Sequence, residues 1–275
     1  MAKKRKSSGG LFRFAKIFLI LVVIAIVGFV GFYLVYPDVS KLTKTNPKKT
    51  SFMQYRENQW QAKGKKYAIQ KKWVSLSKIS PYLVKAIIIA EDDKFWSHRG
   101  FDMDAIQNAL EKNIEKGKFK FGGSTISQQL IKNLYLTPAK NPVRKLKEAI
   151  ITWRVEQTIS KRRILELYLN VVEWGSGIFG AEMASQRYFG KPAALLTAEE
   201  AAKLAVILPN PIRFKVDGTS RYTERRAKII YNIMVKRGIV IPDYEEVIKT
   251  PHVEIPEENG AQTESGGTRN TLEQK

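Results

Sequence analysis

Ser80-Pro81-Tyr82-Leu83-Val84-Lys85-Ala86-Ile87-Ile88-Ile89-Ala90-Glu91 is the stretch whose reading decides the fold. A serine hydroxyl satisfies free N–H groups at a helix start, and the proline after it has no N–H to satisfy and a φ already suited to the first turn. The apolar residues that follow fill about three turns and end on a carboxylate. The same punctuation recurs on both sides. Asp102 and Gly117 bracket a segment with Ile106, Ala109, Leu110 and Ile114 on one face. Asn141-Pro142 repeats the Ser80-Pro81 device, Thr197-x-x-Glu200 opens an alanine-rich helix that Pro209 ends, and Gly238 closes a helix from about Tyr222. No alternating strand pattern stands out, so the expected fold is mostly α.

Toward the N-terminus, residues 17–36 form twenty positions without a charge, enough helix to span about 30 Å. Lys3, Lys4, Arg5, Lys6, Arg13 and Lys16 precede them with no acid, which predicts a cytoplasmic N-terminus. A cleaved signal has a shorter apolar run and small residues at the cut; here the run ends in Tyr33-Leu34-Val35-Tyr36-Pro37, so an uncleaved anchor is expected. The expected layout is a basic segment 1–16, a transmembrane helix 17–36, a Lys-rich stalk and approach 37–72, one helical domain 73–251, and a polar disordered tail 252–275.

Composition narrows the chemistry. There is no cysteine among the 275 residues, which excludes disulfide scaffolds, thiol catalysis, zinc fingers and iron–sulfur clusters. Two histidines cannot build a multi-histidine metal centre. The net charge is +21, of which +18 falls on residues 37–251 once the N-terminal cations and the acidic tail are set aside. Nucleic acid is the usual partner of such a domain, but an external location points to anionic lipid or a phosphorylated lipid instead.

Three segments carry chemistry. In Ala90-Glu91-Asp92-Asp93-Lys94-Phe95-Trp96-Ser97-His98-Arg99-Gly100, a carboxylate after an apolar run is partly desolvated, which raises its pKa toward that of a general base; a solvated acidic helix end is the plain alternative. Gly122-Gly123-Ser124-Thr125-Ile126-Ser127-Gln128-Gln129-Leu130-Ile131-Lys132-Asn133 is a glycine pair before hydroxyls and amides, either an anion or sugar site with Lys132 as a point charge or a helix merely capped by Ser124. Lys140-Asn141-Pro142-Val143-Arg144-Lys145-Leu146-Lys147-Glu148 sets Arg144 and Glu148 on one helix face, either an ordinary ion pair or a second active-site carboxylate whose basic surroundings suit a departing pyrophosphate.

Two further patterns carry little. Gly175-x-Gly177-x-x-Gly180 matches a dinucleotide fingerprint, but the residues before it read as helix rather than strand. Ser75-x-x-Lys78 lacks the S-D-N and K-T-G partners of an acyl-enzyme transpeptidase.

Taken in order, the chain resembles the peptidoglycan glycosyltransferases of family 51, in their monofunctional, membrane-anchored form. The resemblance runs through Glu91-Asp92-x-x-Phe95-x-x-His98-x-Gly100, Gly123-Ser124-Thr125-x-x-Gln128-Gln129-x-x-Lys132-Asn133, Arg144-Lys145-x-x-Glu148 and Lys161-x-x-Ile164-Leu165-Glu166-x-Tyr168-Leu169-Asn170. Gly177-x-x-Gly180-x-x-x-Ala184-x-x-Tyr188-Phe189-Gly190-Lys191 and Leu208-Pro209-Asn210-Pro211 extend it over about residues 70–215.

The resemblance implies a lysozyme-like helical domain that polymerises lipid II into β-1,4-linked glycan strands, inverting at the donor anomeric carbon and releasing undecaprenyl pyrophosphate. It places the catalytic base on Glu91 and a second catalytic carboxylate on Glu148, near the donor pyrophosphate. Lys132, Lys140, Arg144 and Lys145 fall on the basic positions around that pyrophosphate. Ser124, Thr125, Gln128, Gln129 and Asn133, with Asp92, Phe95 and His98, fall on the substrate-binding positions, and Glu166, Tyr168 and Asn170 on structural ones.

No cofactor is required by the resemblance, which leaves room for a divalent cation, Mg or Mn, at Glu148. Implied partners are lipid II, the growing strand, membrane lipids, and cell-wall synthesis or division proteins. The implied location is the inner membrane with the catalytic domain in the periplasm. Lys116-Gly-Lys-Phe-Lys-Phe121 suits the membrane interface. A lytic transglycosylase that cuts glycan with a protonated Glu is the enzymatic alternative, and an anchored wall-binding protein the non-enzymatic one.

Overall fold

The computed structural model describes residues 9–117, 122–139, 141–217 and 219–241. Ten α-helices appear among them: α1 Gly9–Val35, α2 Ser51–Ala62, α3 Pro81–Glu91, α4 Met103–Glu115, α5 Ile126–Tyr135, α6 Pro142–Thr158, α7 Lys161–Val171, α8 Ala181–Phe189, α9 Ala198–Ile207 and α10 Arg221–Lys236. The mostly helical reading holds, and three of the expected caps fall where the sequence put them. Ser80 accepts from Tyr82 N, Asn141 from Arg144 N, and Thr197 and Glu200 close a reciprocal capping box. Gly117 and Gly238 take positive φ just beyond α4 and α10.

α9 sits between α3 and α10, and its Ala198, Ala201, Ala202, Leu204 and Ile207 are fully buried. Short side chains let the helices flanking it approach closely. α5 packs on α6 and α7, so that Leu130, Ile131, Ile151, Leu165 and Leu169 complete the core.

Two expectations need correcting. The first is the absence of strands: a small sheet of order β1-β3-β2 joins Gln70–Lys71 (β1), Glu173–Gly175 (β2) and Ile178–Phe179 (β3), with β1 parallel and β2 antiparallel to β3. Strands of two or three residues, with β2 and β3 buried at every position, leave no alternation to read. The glycines of the rejected dinucleotide pattern serve this hairpin. Gly177 turns it at φ +80, where an added Cβ would lie 2.7 Å from Ala68 O.

The second concerns the stalk. Within residues 37–72, Val39, Leu42, Met53 and Trp60 are buried, and α2 packs on α5. Thr50 caps α2, and Arg56 reaches Glu173 at 2.7 Å, joining this stretch to the sheet.

α1 is long and apolar enough to cross a membrane, and its side chains from Phe12 to Val35 are largely exposed, unlike those of a core helix. Its end is tied down. Arg154 on α6 donates to the carbonyls of Tyr33 and Val35, groups the helix C-terminus leaves without partners, and to that of Pro37 just beyond it, and Lys147 lies over the Tyr33 ring. A second apolar surface is on α4: Leu110 is 53% and Ile114 72% exposed, with Met103 beside them. The stripe read from the sequence is real but faces away from the core. Phe119 and Phe121, and the tail 252–275, lie outside the described residues.

Candidate active site

Glu91 is the last residue of α3. Burial pushes its carboxyl above the ordinary glutamate value; a hydrogen bond from Gln129 and the charges of Lys132 and Arg226 oppose that rise, and Asp92 adds to it. Gln129 Nε2 donates to Glu91 Oε2 at 2.7 Å, and the Tyr168 hydroxyl donates to Gln129 Oε1 at 3.1 Å.

The neighbouring carboxylate does different work. Asp92 Oδ2 accepts from Ile126 N at 2.9 Å, and its Oδ1 meets His98 Nε2 at 2.8 Å. Gly100 N donates to His98 Nδ1, so that nitrogen is an acceptor and the imidazole proton sits on Nε2, facing Asp92. The Thr125 hydroxyl then donates to Gly100 O. This closed circuit fixes the turn after Glu91 against the start of α5.

Of the expected substrate-binding residues Asp92, Phe95 and His98, Asp92 borders the Glu91 cavity while its carboxylate bonds Ile126 N and His98, His98 is held by Asp92 and Gly100, and Phe95 has no exposed surface. Gln128 is mostly buried yet borders the Glu148 cavity. It is the third residue of a capping box in which Thr125, not Ser124, is the N-cap, and Gln128 Oε1 accepts from Thr125 N. The signature T-x-x-Q was legible at 125–128. Asn133 is buried and donates to Gln129 O.

Displacing the cap by one residue frees Ser124. It lies on the wall of two cavities, one of about 260 Å³ with Glu91, Asp93, Asp102 and Asn108, the other of about 250 Å³ with Gln129, Lys132, Arg144, Lys145 and Glu148. Gly123 beside it must be glycine, since a Cβ there would sit 2.8 Å from Ile106 N and 2.9 Å from Ala105 O on α4.

Glu148 is buried on α6 but matched by charge: Arg144 Nη1 reaches its Oε2 at 2.6 Å and Lys145 Nζ its Oε1 at 2.5 Å. Lys145 also donates to Ser124 Oγ, and Arg144 to Ala139 O. Lys132 forms no ion pair among the described residues; burial lowers its pKa, while Glu148 and Glu91 pull it back up. Lys140 lies outside the described residues.

This donor set does not fit a divalent cation at Glu148. Both carboxylate oxygens are taken by cations, Lys132 adds a third positive charge, and no cluster of three metal-ligating side chains occurs among the described residues.

Three contributors were missed in the sequence. Phe52, from the supposed stalk, lines the Glu148 cavity; Arg226, on α10, acts on Glu91; and Tyr168 reaches Gln129. Only Tyr168 lies in a motif, and nothing local to Phe52 or Arg226 marks them.

A helical domain with a desolvated carboxylate in one cavity and a cation-clamped carboxylate in the next defines a site for proton abstraction beside an anionic leaving group. A family model described as Transglycosylase matches residues 57–235. Biosynthetic peptidoglycan transglycosylases are similar to the chain: that of Nitrosospira multiformis is 43% identical over 226 residues, 82% of this chain and 97% of the relative. That of Azoarcus sp. is 55% identical over 170 residues, 62% and 74% of the two chains, and that of Methylobacillus flagellatus 48% over 185 residues, 67% and 81%. The chain belongs to the transglycosylase family.

Proposed function

We propose that this peptidoglycan glycosyltransferase, which polymerises lipid II into glycan strands, divides the reaction between its two cavities. The acceptor sugar lies on the Glu91 side. Glu91 takes the proton of its 4-hydroxyl as that oxygen attacks the anomeric carbon of the donor strand. The carbon–pyrophosphate bond breaks, undecaprenyl pyrophosphate leaves, and the anomeric configuration inverts. Lys132, Arg144 and Lys145 stabilise the charge that develops on the pyrophosphate, with Glu148 holding Arg144 and Lys145 in place.

The single observation that carries this division is the pair of cavities meeting at Ser124, one holding a half-buried carboxylate with no salt-bridge partner among the described residues, the other a carboxylate held by two cations. Arg144 also lines a groove of about 510 Å³ with Tyr33, Tyr36, Tyr135 and Val143, between the end of α1 and the α5–α6 pair. That groove gives the lipid chain a route from the pyrophosphate to the anchor.

The long apolar helix supports a membrane location. α1 serves as a single-pass anchor with the N-terminus cytoplasmic and the domain outside, facing the periplasm. The exposed apolar side of α4 rests in the outer leaflet, where the basic residues of the domain meet anionic head groups.

Incubating fluorescent lipid II with wild type and Glu91→Gln, and resolving the products on a gel, tests the reading. A ladder from the wild type that the variant does not make supports it. Soluble fragments released from purified sacculi, with no ladder, would replace it by glycan cleavage.

A further inference from the structure

We infer that Tyr168 is a positioning residue for the base, holding Gln129 in the one orientation that presents an N–H to Glu91. The inference rests on Glu91 being the base. Its starting point is the direction of two hydrogen bonds. An ionised carboxylate only accepts, so at 2.7 Å from Glu91 Oε2 the Gln129 amide must present Nε2. Its Oε1 then faces the Tyr168 hydroxyl at 3.1 Å, which must donate. Donation runs one way, Tyr168 to Gln129 to Glu91.

Among the described residues nothing else fixes that amide. Asn133 bonds the Gln129 backbone carbonyl rather than its side chain. Without the tyrosine hydroxyl the two ends of the amide differ only in what Glu91 prefers, and a flipped amide would set Oε1 against the carboxylate. The phenol suits a constant donor. It is completely buried, and burial together with the nearby Glu91 and Asp92 charges pushes its own pKa well up, so it keeps its proton throughout the working range.

Other charges act on Glu91 too: Asp92 next to it, Lys132 from α5 and Arg226 from α10. None of them touches Gln129 Oε1, so none substitutes for the hydroxyl. A carboxylate that loses its fixed N–H donor holds its proton more tightly.

Tyr168→Phe removes one oxygen atom and tests this. In lipid II polymerisation, the acid limb of kcat/KM moves to higher pH, and kcat at neutral pH falls about tenfold, the worth of one hydrogen bond, with KM little changed. Gln129→Leu moves the limb the same way, and the double variant moves it no further. The inference is overturned if Tyr168→Phe lowers Tm while the acid limb stays in place, or if the two substitutions shift the limb additively. Should Tyr168→Phe not fold, Gln129→Leu decides alone, an unmoved limb overturning the inference. The underlying assignment fails separately: Glu91→Gln with wild-type turnover removes the base, whereas an inactive Glu91→Gln beside an unmoved limb in Tyr168→Phe removes only the positioning role.

Discussion

Glu91 and Glu148 are both glutamates withdrawn from solvent, Glu91 partly and Glu148 almost wholly, yet their surroundings are opposites. Glu91 receives one neutral N–H, from Gln129, and feels the charges of Lys132, Arg226 and the adjacent Asp92 without an ion pair to either cation. Glu148 has a guanidinium on one oxygen and an ammonium on the other. Desolvation without a paired cation leaves a carboxylate ready to take up a proton; burial with two paired cations makes it an anchor for those cations. The difference teaches that in this cleft the role of a carboxylate is set by its partners rather than by its depth.

The sharpest way to break the comparison is to remove each charge in turn. Glu91→Gln should lower kcat about 10³-fold or more, within the range general-base catalysis supplies, with lipid II binding retained in a direct binding assay. Next in size, Arg144→Ala and Lys145→Ala together should cost about 10²-fold in kcat/KM, as expected when donors to a developing anion are lost. Adding Glu148→Gln to that pair should cost little more, because its partners are already gone. Full additivity in the triple variant would show that Glu148 acts on the substrate directly.

Asp92→Asn probes the circuit around the base rather than the base. It weakens the contacts to Ile126 N and His98. A loss of about 2 kcal/mol in stability is expected for charge-assisted bonds, seen as a Tm lower by several degrees, with the acid limb of the rate profile present. The smallest effect concerns Glu91 itself. Because burial raises its pKa above the unfolded value, its contribution favours the fold below the ordinary glutamate pKa and is lost as pH rises through the folded one. Glu91→Gln should therefore melt higher than wild type at neutral pH, and the two curves should converge in acid. Calorimetry across that range checks the sign.

Much of this was legible in the residues. Ser80-Pro81 and Asn141-Pro142 placed the starts of the two helices that carry Glu91 and Glu148, and the i,i+4 spacing of Arg144 and Glu148 gave their pairing. What stayed hidden depends on long-range contact. No periodicity marks the short strands around Gly177 or ties Phe52 to a cavity on α5 and α6. Phe95 sits in its motif for an internal reason, and Asp92 and Gln128 each make internal hydrogen bonds while bordering a cavity, a distinction a motif alone does not make. The α4 stripe was read correctly as apolar, but its orientation away from the core is a property of the assembled domain.

The central claim is that Glu91 is the group whose ionisation switches the reaction on. The pH dependence of kcat/KM for lipid II polymerisation in wild type, Glu148→Gln and Glu91→Gln tests it most directly. The account predicts an acid limb above the ordinary glutamate range in the wild type, the same limb in Glu148→Gln at lower activity, and its disappearance from the residual activity of Glu91→Gln. A limb that survives in Glu91→Gln, or vanishes instead in Glu148→Gln, would contradict it.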